Sequence, residues 1–147
     1  MKLSKISCSV LKESLARHKM WLHKIGGERA NLSHMNLSGC DLKGADLRCA
    51  NIAYSDFSYA NLTDANLDEA DATFTLFNDA ILENASFRDA DLRNTDISNA
   101  KINGANFLRA DLFRATLPKE GIAEQSLRNL EKHPTLITIR ASKIPCL

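Results

Sequence analysis

The stretch ANLSHMNLSGCDLKGADLRC, residues 30–49, states one five-residue phrase four times: an apolar centre, preceded by Asn or Asp, preceded in turn by Ala, Met or Cys. The phrase continues without a gap to ANFLRADLFRATLPK at 105–119, eighteen units in all. With the apolar centre as position i, Leu, Ile or Phe fills it in seventeen units, and only Ala72 departs. Position i−2 is Ala in thirteen units, with Met35, Cys40, Ser55, Thr75 and Thr95 as the others; position i−1 is Asp or Asn in thirteen. Self-similarity at a fixed short period marks a repeat architecture and has to be read before any single residue.

A period of five fits neither the helical 3.6 nor a continuing strand alternation of 2. Within one unit, i−2 and i lie on one side of an extended segment and i−1 and i+1 on the other. The next unit can point its own pair inward only if the chain turns every fifth residue, at i+2. The result is a coil lined with Ala and Leu or Phe. Asp and Asn then stand outside, where they tolerate turn geometry and bond nearby backbone.

These units resemble the consensus A-(D/N)-L-x-x of the pentapeptide-repeat family, over about three fifths of the chain. The resemblance implies an all-β fold: a right-handed quadrilateral β-solenoid of about 4.5 coils, four units to a coil, stacked at ~4.8 Å into a rod of roughly 22 Å. The predicted organisation is an N-terminal capping helix in 1–29, the solenoid in 30–119 and a C-terminal cap of short helix plus strand in 120–147. The expected core includes Leu32, Leu47, Phe57, Leu67, Phe77, Phe87, Leu92, Phe107 and Leu112. Residues twenty apart should stack, so Phe57 falls under Phe77 and Phe87 under Phe107. Ala72 leaves room that Phe74 is expected to fill by turning inward.

In the N-terminal segment, Leu11, Leu15, Leu22 and Ile25, with Val10 and Trp21 beside them, form a helical stripe. Ser9 is the expected N-cap and Gly26-Gly27 the stop. His18 and His23 are read as ordinary cap residues, being five apart rather than the four of a helical zinc pair. The phrase HKMWLHKIGGERANL, residues 18–32, resembles the head of some bacterial and phage members of the family. Cys8, Cys40, Cys49 and Cys146 lack CxxC spacing, which disfavours metal binding. No run approaches the ~20 apolar residues of a membrane span, and the basic start lacks a signal-peptide core. The expectation is a cytoplasmic protein without cofactor.

The charge is uneven. Residues 1–29 hold seven Lys or Arg against two Glu, residues 30–119 eight against thirteen acids, and residues 120–147 four against three. Between Asp56 and Asp91 nine acids face one Arg88. This acidic waist disfavours nucleic-acid binding by the rod. Arg48, Asp68 and Arg88 should form one charge ladder, and Glu69, Asp89 and Arg109 another.

An interior filled by Ala and Leu offers no cleft for a convergent acid, base or nucleophile, so no enzyme is expected. Two binding readings stand beside each other. The resemblance implies DNA mimicry: an acidic rod occupying the DNA-binding saddle of DNA gyrase or a similar enzyme, a topoisomerase inhibitor. Asp56, Asp64, Asp68, Glu69, Asp71, Asp79, Glu83 and Asp89 would carry it. The same length of B-DNA bears about 13 negative charges, more than the waist supplies. The alternative is a scaffold that meets a protein partner through a patch of Tyr54, Tyr59, Phe74, Leu76 and Ile81; Leu108 and Phe113 should also face outward. A phage-type inhibitor of a host DNA-binding protein would use the acidic surface. Family resemblance also implies pairing of two copies through the C-terminal segment.

Overall fold

The computed structural model describes residues 3–119. The predicted C-terminal helix, strand and dimer contact therefore lie outside the described residues. From Asn31 onward, parallel bridges join residues twenty apart, Asn31 to Asn51, Asn51 to Asp71 and Asp71 to Asp91, and likewise around the other sides. Four units complete one coil. Each side of the coil spends two of its five residues on a turn, so most of its strand character shrinks to one bridging residue. Wall 1 is made of residues 30–34, 50–54, 70–74, 90–94 and 110–114. Wall 2 follows with 35–39, 55–59, 75–79, 95–99 and 115–119, wall 3 with 40–44 and its equivalents, and wall 4 with 45–49 and its equivalents.

The repeat is explained by where its five backbone N–H groups go. The i N–H bonds upward, as Leu32 to the Asn51 carbonyl at 2.7 Å. The i−1 N–H bonds downward, as Asn51 to the Ala30 carbonyl at 3.0 Å. The i+2 N–H bonds upward again, as Tyr54 to the Thr73 carbonyl at 2.8 Å. The i−2 N–H closes a turn onto the carbonyl three residues back, as Ala60 to Phe57 at 3.0 Å. That leaves the i+1 N–H, and the i−1 Asp or Asn side chain accepts it: Ser58 donates to Asp56 Oδ1 at 2.9 Å, and Asp68 to Asn66 Oδ1 at 2.9 Å. All thirteen Asp or Asn residues at i−1 make this bond. Every i+2 residue from His34 to Arg114 has φ between 57° and 72°, the left-handed value a type II turn demands at its third residue.

Inside, Leu32, Leu47, Phe57, Leu67, Phe77, Phe87, Leu92 and Phe107 are buried, while Leu112 is partly buried. Phe57 stacks on Phe77 at 5.5 Å along wall 2, and Phe87 on Phe107 at 5.2 Å along wall 4. Phe77 and Phe87 meet edge to face across the axis at 5.8 Å. The coil holding these two rings has Ala72 and Leu82 as its other centres, so the small Ala72 offsets two large side chains. Phe74 does not turn inward. Its backbone is left-handed (φ 57°), which throws the side chain outward, where it is 46% exposed.

The N-terminal segment adds a strand the periodicity did not suggest. β1 (Ser4–Lys5) pairs in parallel with β2 (Met35–Asn36), extending wall 2 by one rung below the first coil. Helix α1 spans Cys8–Leu22 and is capped by Ser7, whose hydroxyl accepts from the Val10 N–H, rather than by Ser9. Leu11 joins the core and Leu15 packs against it, but Val10 and Ile25 are 54% and 68% exposed and leave the expected stripe. The residue that replaces them is His18, wholly buried, its Nδ1 accepting from the Ala30 N–H at 3.0 Å and its ring stacked on Trp21. Gly27 has φ 80°, and a Cβ there would collide with the Arg17 carbonyl, so the chain leaves α1 through a position only glycine fits.

Candidate functional site

At the corner between walls 1 and 2, the i+2 residues of three successive coils are aromatic. His34 stacks on Tyr54 with ring centroids 5.0 Å apart, and Tyr54 on Phe74 at 4.8 Å, with planes within 9° and 7° of parallel. All three sit at left-handed φ (59°, 59° and 57°), a conformation costing a non-glycine residue about 1–2 kcal/mol. Other corners place Gly, Asn or Asp at many of these positions, residues that adopt it readily. Tyr54 and Phe74 are 48% and 46% exposed. Two residues beyond Phe74, Leu76 occupies an outward i−1 position at 40% exposure.

The interior behind this corner is also distinctive. Ser55, Thr75 and Thr95 form a buried file of hydroxyls on wall 2. Ser55 Oγ donates to the Leu32 carbonyl at 2.5 Å and accepts the Met35 N–H at 3.2 Å, so it bridges the turn that carries His34. Thr75 Oγ1 donates to the Ile52 carbonyl at 2.8 Å, in the turn that carries Tyr54. These hydroxyls hold the corner that presents the rings.

The expected patch is only partly one surface. Tyr54, Phe74 and Leu76 come together, joined by His34, which sequence reasoning missed although its spacing of twenty from Tyr54 was legible. Tyr59, 64% exposed, lies at the other edge of wall 2. Ile81 is half-buried on wall 3. Leu108 is half-buried, and Phe113 is exposed beneath the Arg114 guanidinium.

The eight acidic candidates are spread around the rod. Asp56 is on wall 2, Asp79 at its edge, Asp64 and Glu83 on wall 3, Asp68, Glu69 and Asp89 on wall 4, and Asp71 on wall 1. Several are engaged: Asp56 and Asp71 hold their own turns, and Asp64 accepts from Asn84. Asp68 accepts from the Arg88 N–H and the Ser86 hydroxyl. Asp89 makes a two-pronged ion pair with Arg109 at 2.5 Å, so the second charge column forms a pair. The first does not, because Arg48 turns to Asp46 at 2.7 Å and the resulting hydrogen bonds hold the Asp46 carboxyl below its ordinary pKa. Among the described residues no group of His, Cys, Asp and Glu could hold a metal ion, and no helix is long and apolar enough to cross a membrane.

The profile of pentapeptide repeats matches eight times, over residues 28–64, 60–99 and 90–119. This chain belongs to the pentapeptide-repeat family. Among solved structures it is similar to HetL, a pentapeptide repeat protein involved in heterocyst differentiation regulation from the cyanobacterium Nostoc sp. strain PCC 7120. The identity is 31% and the TM-score 0.60, over 65% of this chain and 44% of HetL. It also resembles Rfr23 from the cyanobacterium Cyanothece 51142 (28% identity, TM-score 0.48, 62% and 58% covered). A more distant likeness is to a trypsin-treated form of QnrB1, a plasmid-mediated fluoroquinolone resistance protein (17% identity, TM-score 0.33, 72% and 71% covered). This pentapeptide-repeat chain thus spans less than two thirds of the length of the first two. A comparison with curated proteins finds no match.

Proposed function

We propose that this pentapeptide-repeat protein is a non-enzymatic, cytoplasmic protein-binding solenoid that meets its partner at the aromatic corner between walls 1 and 2. The observation that carries this reading is the His34–Tyr54–Phe74 stack. The fold does not require large rings at a left-handed, exposed position, where Asn or Gly would be less strained. A right-handed rod covered by α1 at its first coil holds such a corner rigid. The test is affinity capture from the native host with the wild type and the Tyr54→Ser/Phe74→Asn variant, both verified as folded by thermal melting. A protein retained by the first and lost by the second is expected; identical retention by both overturns the reading.

DNA mimicry of a gyrase-like enzyme is the second reading, supported by the nine acids against one Arg between Asp56 and Asp91. Their spread over four walls and the pairing of Asp89 with Arg109 favour it less. A supercoiling assay separates the two. Mimicry requires inhibition that fades when Asp64, Asp68 and Asp71 become Asn and Glu69 becomes Gln, while the docking reading expects no inhibition by either form.

A further inference from the structure

The rings of the corner stack along the rod, so they present edges outward and leave no open cage of ring faces for a cation. What they form is an apolar ridge, continued onto wall 2 by Leu76 and faced across that wall by Tyr59. Wall 2 has a distinctive charge. Between the lysines at its two ends, Lys5 in β1 and Lys119 in the last unit, its residues 35–39, 55–59, 75–79 and 95–99 include Asp56, Asp79 and Asp96 and not one Lys or Arg. None of the three carboxylates has a cationic partner among the described residues, in contrast to Asp91 and Asp111 on wall 1 and Asp46 and Asp89 on wall 4. The i+2 position above the ridge, Asn94, is neutral as well.

From this juxtaposition we infer that wall 2 and its aromatic corner bind a basic amphipathic protein segment, whose apolar side lies on Tyr54, Phe74 and Leu76 and whose Lys or Arg residues meet Asp56, Asp79 and Asp96. This rests on the docking reading above and names the partner's chemistry. An acidic or nucleic-acid partner would bring like charge against three unopposed carboxylates. A purely apolar partner would bury them without compensation. A basic segment with an apolar face satisfies both parts of the surface, and its binding should weaken with salt because the pairs are exposed.

The experiment uses the full chain and three labelled helical peptides of roughly 18 residues, about five turns. They are one with Lys on the polar face and Leu on the other, its Glu counterpart, and a scrambled Lys peptide. Fluorescence anisotropy should show the first binding and the other two not. Affinity should fall about tenfold or more in Tyr54→Ser/Phe74→Asn. It should fall in Asp56→Asn/Asp96→Asn, which keeps both turn bonds, and stay unchanged in the wall 3 control Glu83→Gln. Equal loss in Glu83→Gln, or binding of the scrambled peptide, would reduce the effect to net charge and overturn the inference. Binding of the Glu peptide that depends on Tyr54 and Phe74 would overturn the partner chemistry while leaving the docking corner standing. Lys-peptide binding indifferent to Tyr54 and Phe74 would overturn the corner itself, and failure of every peptide would overturn the inference alone. Self-association in sedimentation that disappears in the ring variant would assign the surface to a second copy instead.

Discussion

Each unit's i+1 N–H is the one backbone donor that neither the inter-coil ladder nor the turn consumes, and an Asp or Asn two residues earlier accepts it in thirteen units. Two of the five exceptions follow the same logic. Arg88 N–H, in the unit of Ser86, is accepted by Asp68 one coil below, and the unit of Thr116 has Pro118, which has no N–H to satisfy. At Leu76 the acceptor is absent and Asn78 N–H makes no hydrogen bond among the described residues. Leu76→Asn should therefore stabilise the fold, by about 0.5–1.5 kcal/mol as for an added intramolecular hydrogen bond, while weakening partner binding. A raised melting temperature with lost binding is the expected pair of readings. A lowered melting temperature would show that Leu76 serves packing instead.

At the scale of one coil, packing is a matter of total volume. Phe77 and Phe87 meet across the axis in the coil whose other centres are Ala72 and Leu82, and all four are buried. Ala72→Leu restores the commonest residue of the motif, yet should cost about 1–3 kcal/mol by overpacking; urea melts measure it, and a stabilised variant would mean unfilled space beside Ala72. In α1 the decisive side chain is His18. Its Nδ1 accepts from Ala30, its Nε2 has no partner at hydrogen-bond geometry, and burial lowers its pKa from 6.5. The Arg48 carbonyl and Asp46 oppose that shift, while the Arg29 and Arg48 charges reinforce it. Because the folded-state pKa lies below the unfolded one, the unfolded chain binds the proton more readily. The contribution is complete above 6.5 and is lost as pH falls from there toward the folded value. Hydrogen exchange in Cys8–Leu22 should accelerate on acidification through that window. His18→Gln, which keeps an acceptor but does not titrate, should flatten the dependence; an unchanged profile in the variant would remove His18 as the cause.

For the molecule as a whole, the first coil is the vulnerable end. Its outward-facing backbone is met by β1 on wall 2 and by the α1 contacts at Ala30. An uncovered edge pairs with other chains. Deleting residues 1–29 should produce concentration-dependent association, visible as added mass in light scattering, with the coils still folded by circular dichroism. A monodisperse monomer would show that the edge protects itself. The waist is acidic and the N-terminal segment basic, but the rod distributes its carboxylates around four sides and ties many into turns and ion pairs. On wall 2 three of them, Asp56, Asp79 and Asp96, stand without cationic partners among the described residues and near Tyr54, Phe74 and Leu76.

The five-residue period was enough to establish the regular turning of the chain, the inward apolar residues and the outward Asp and Asn, because each depends only on spacing along the chain; the four units per coil, and with them the stacked Phe pairs, were implied by the family resemblance. Reading Phe74 as a core filler failed, because left-handed φ, not hydrophobicity, sets where a corner side chain points; that His18 within the cap would be buried was not legible, because helix α1 meets Ala30 twelve residues further on. The acidic and aromatic candidates were all visible as letters, but only the closing of twenty residues into a coil decided which became neighbours. Folding put His34, Tyr54 and Phe74 on one ridge beside unopposed carboxylates and separated Tyr59 and Ile81 from it. Local backbone geometry is written in the repeat; the surface it presents is set by which residues lie one full coil apart.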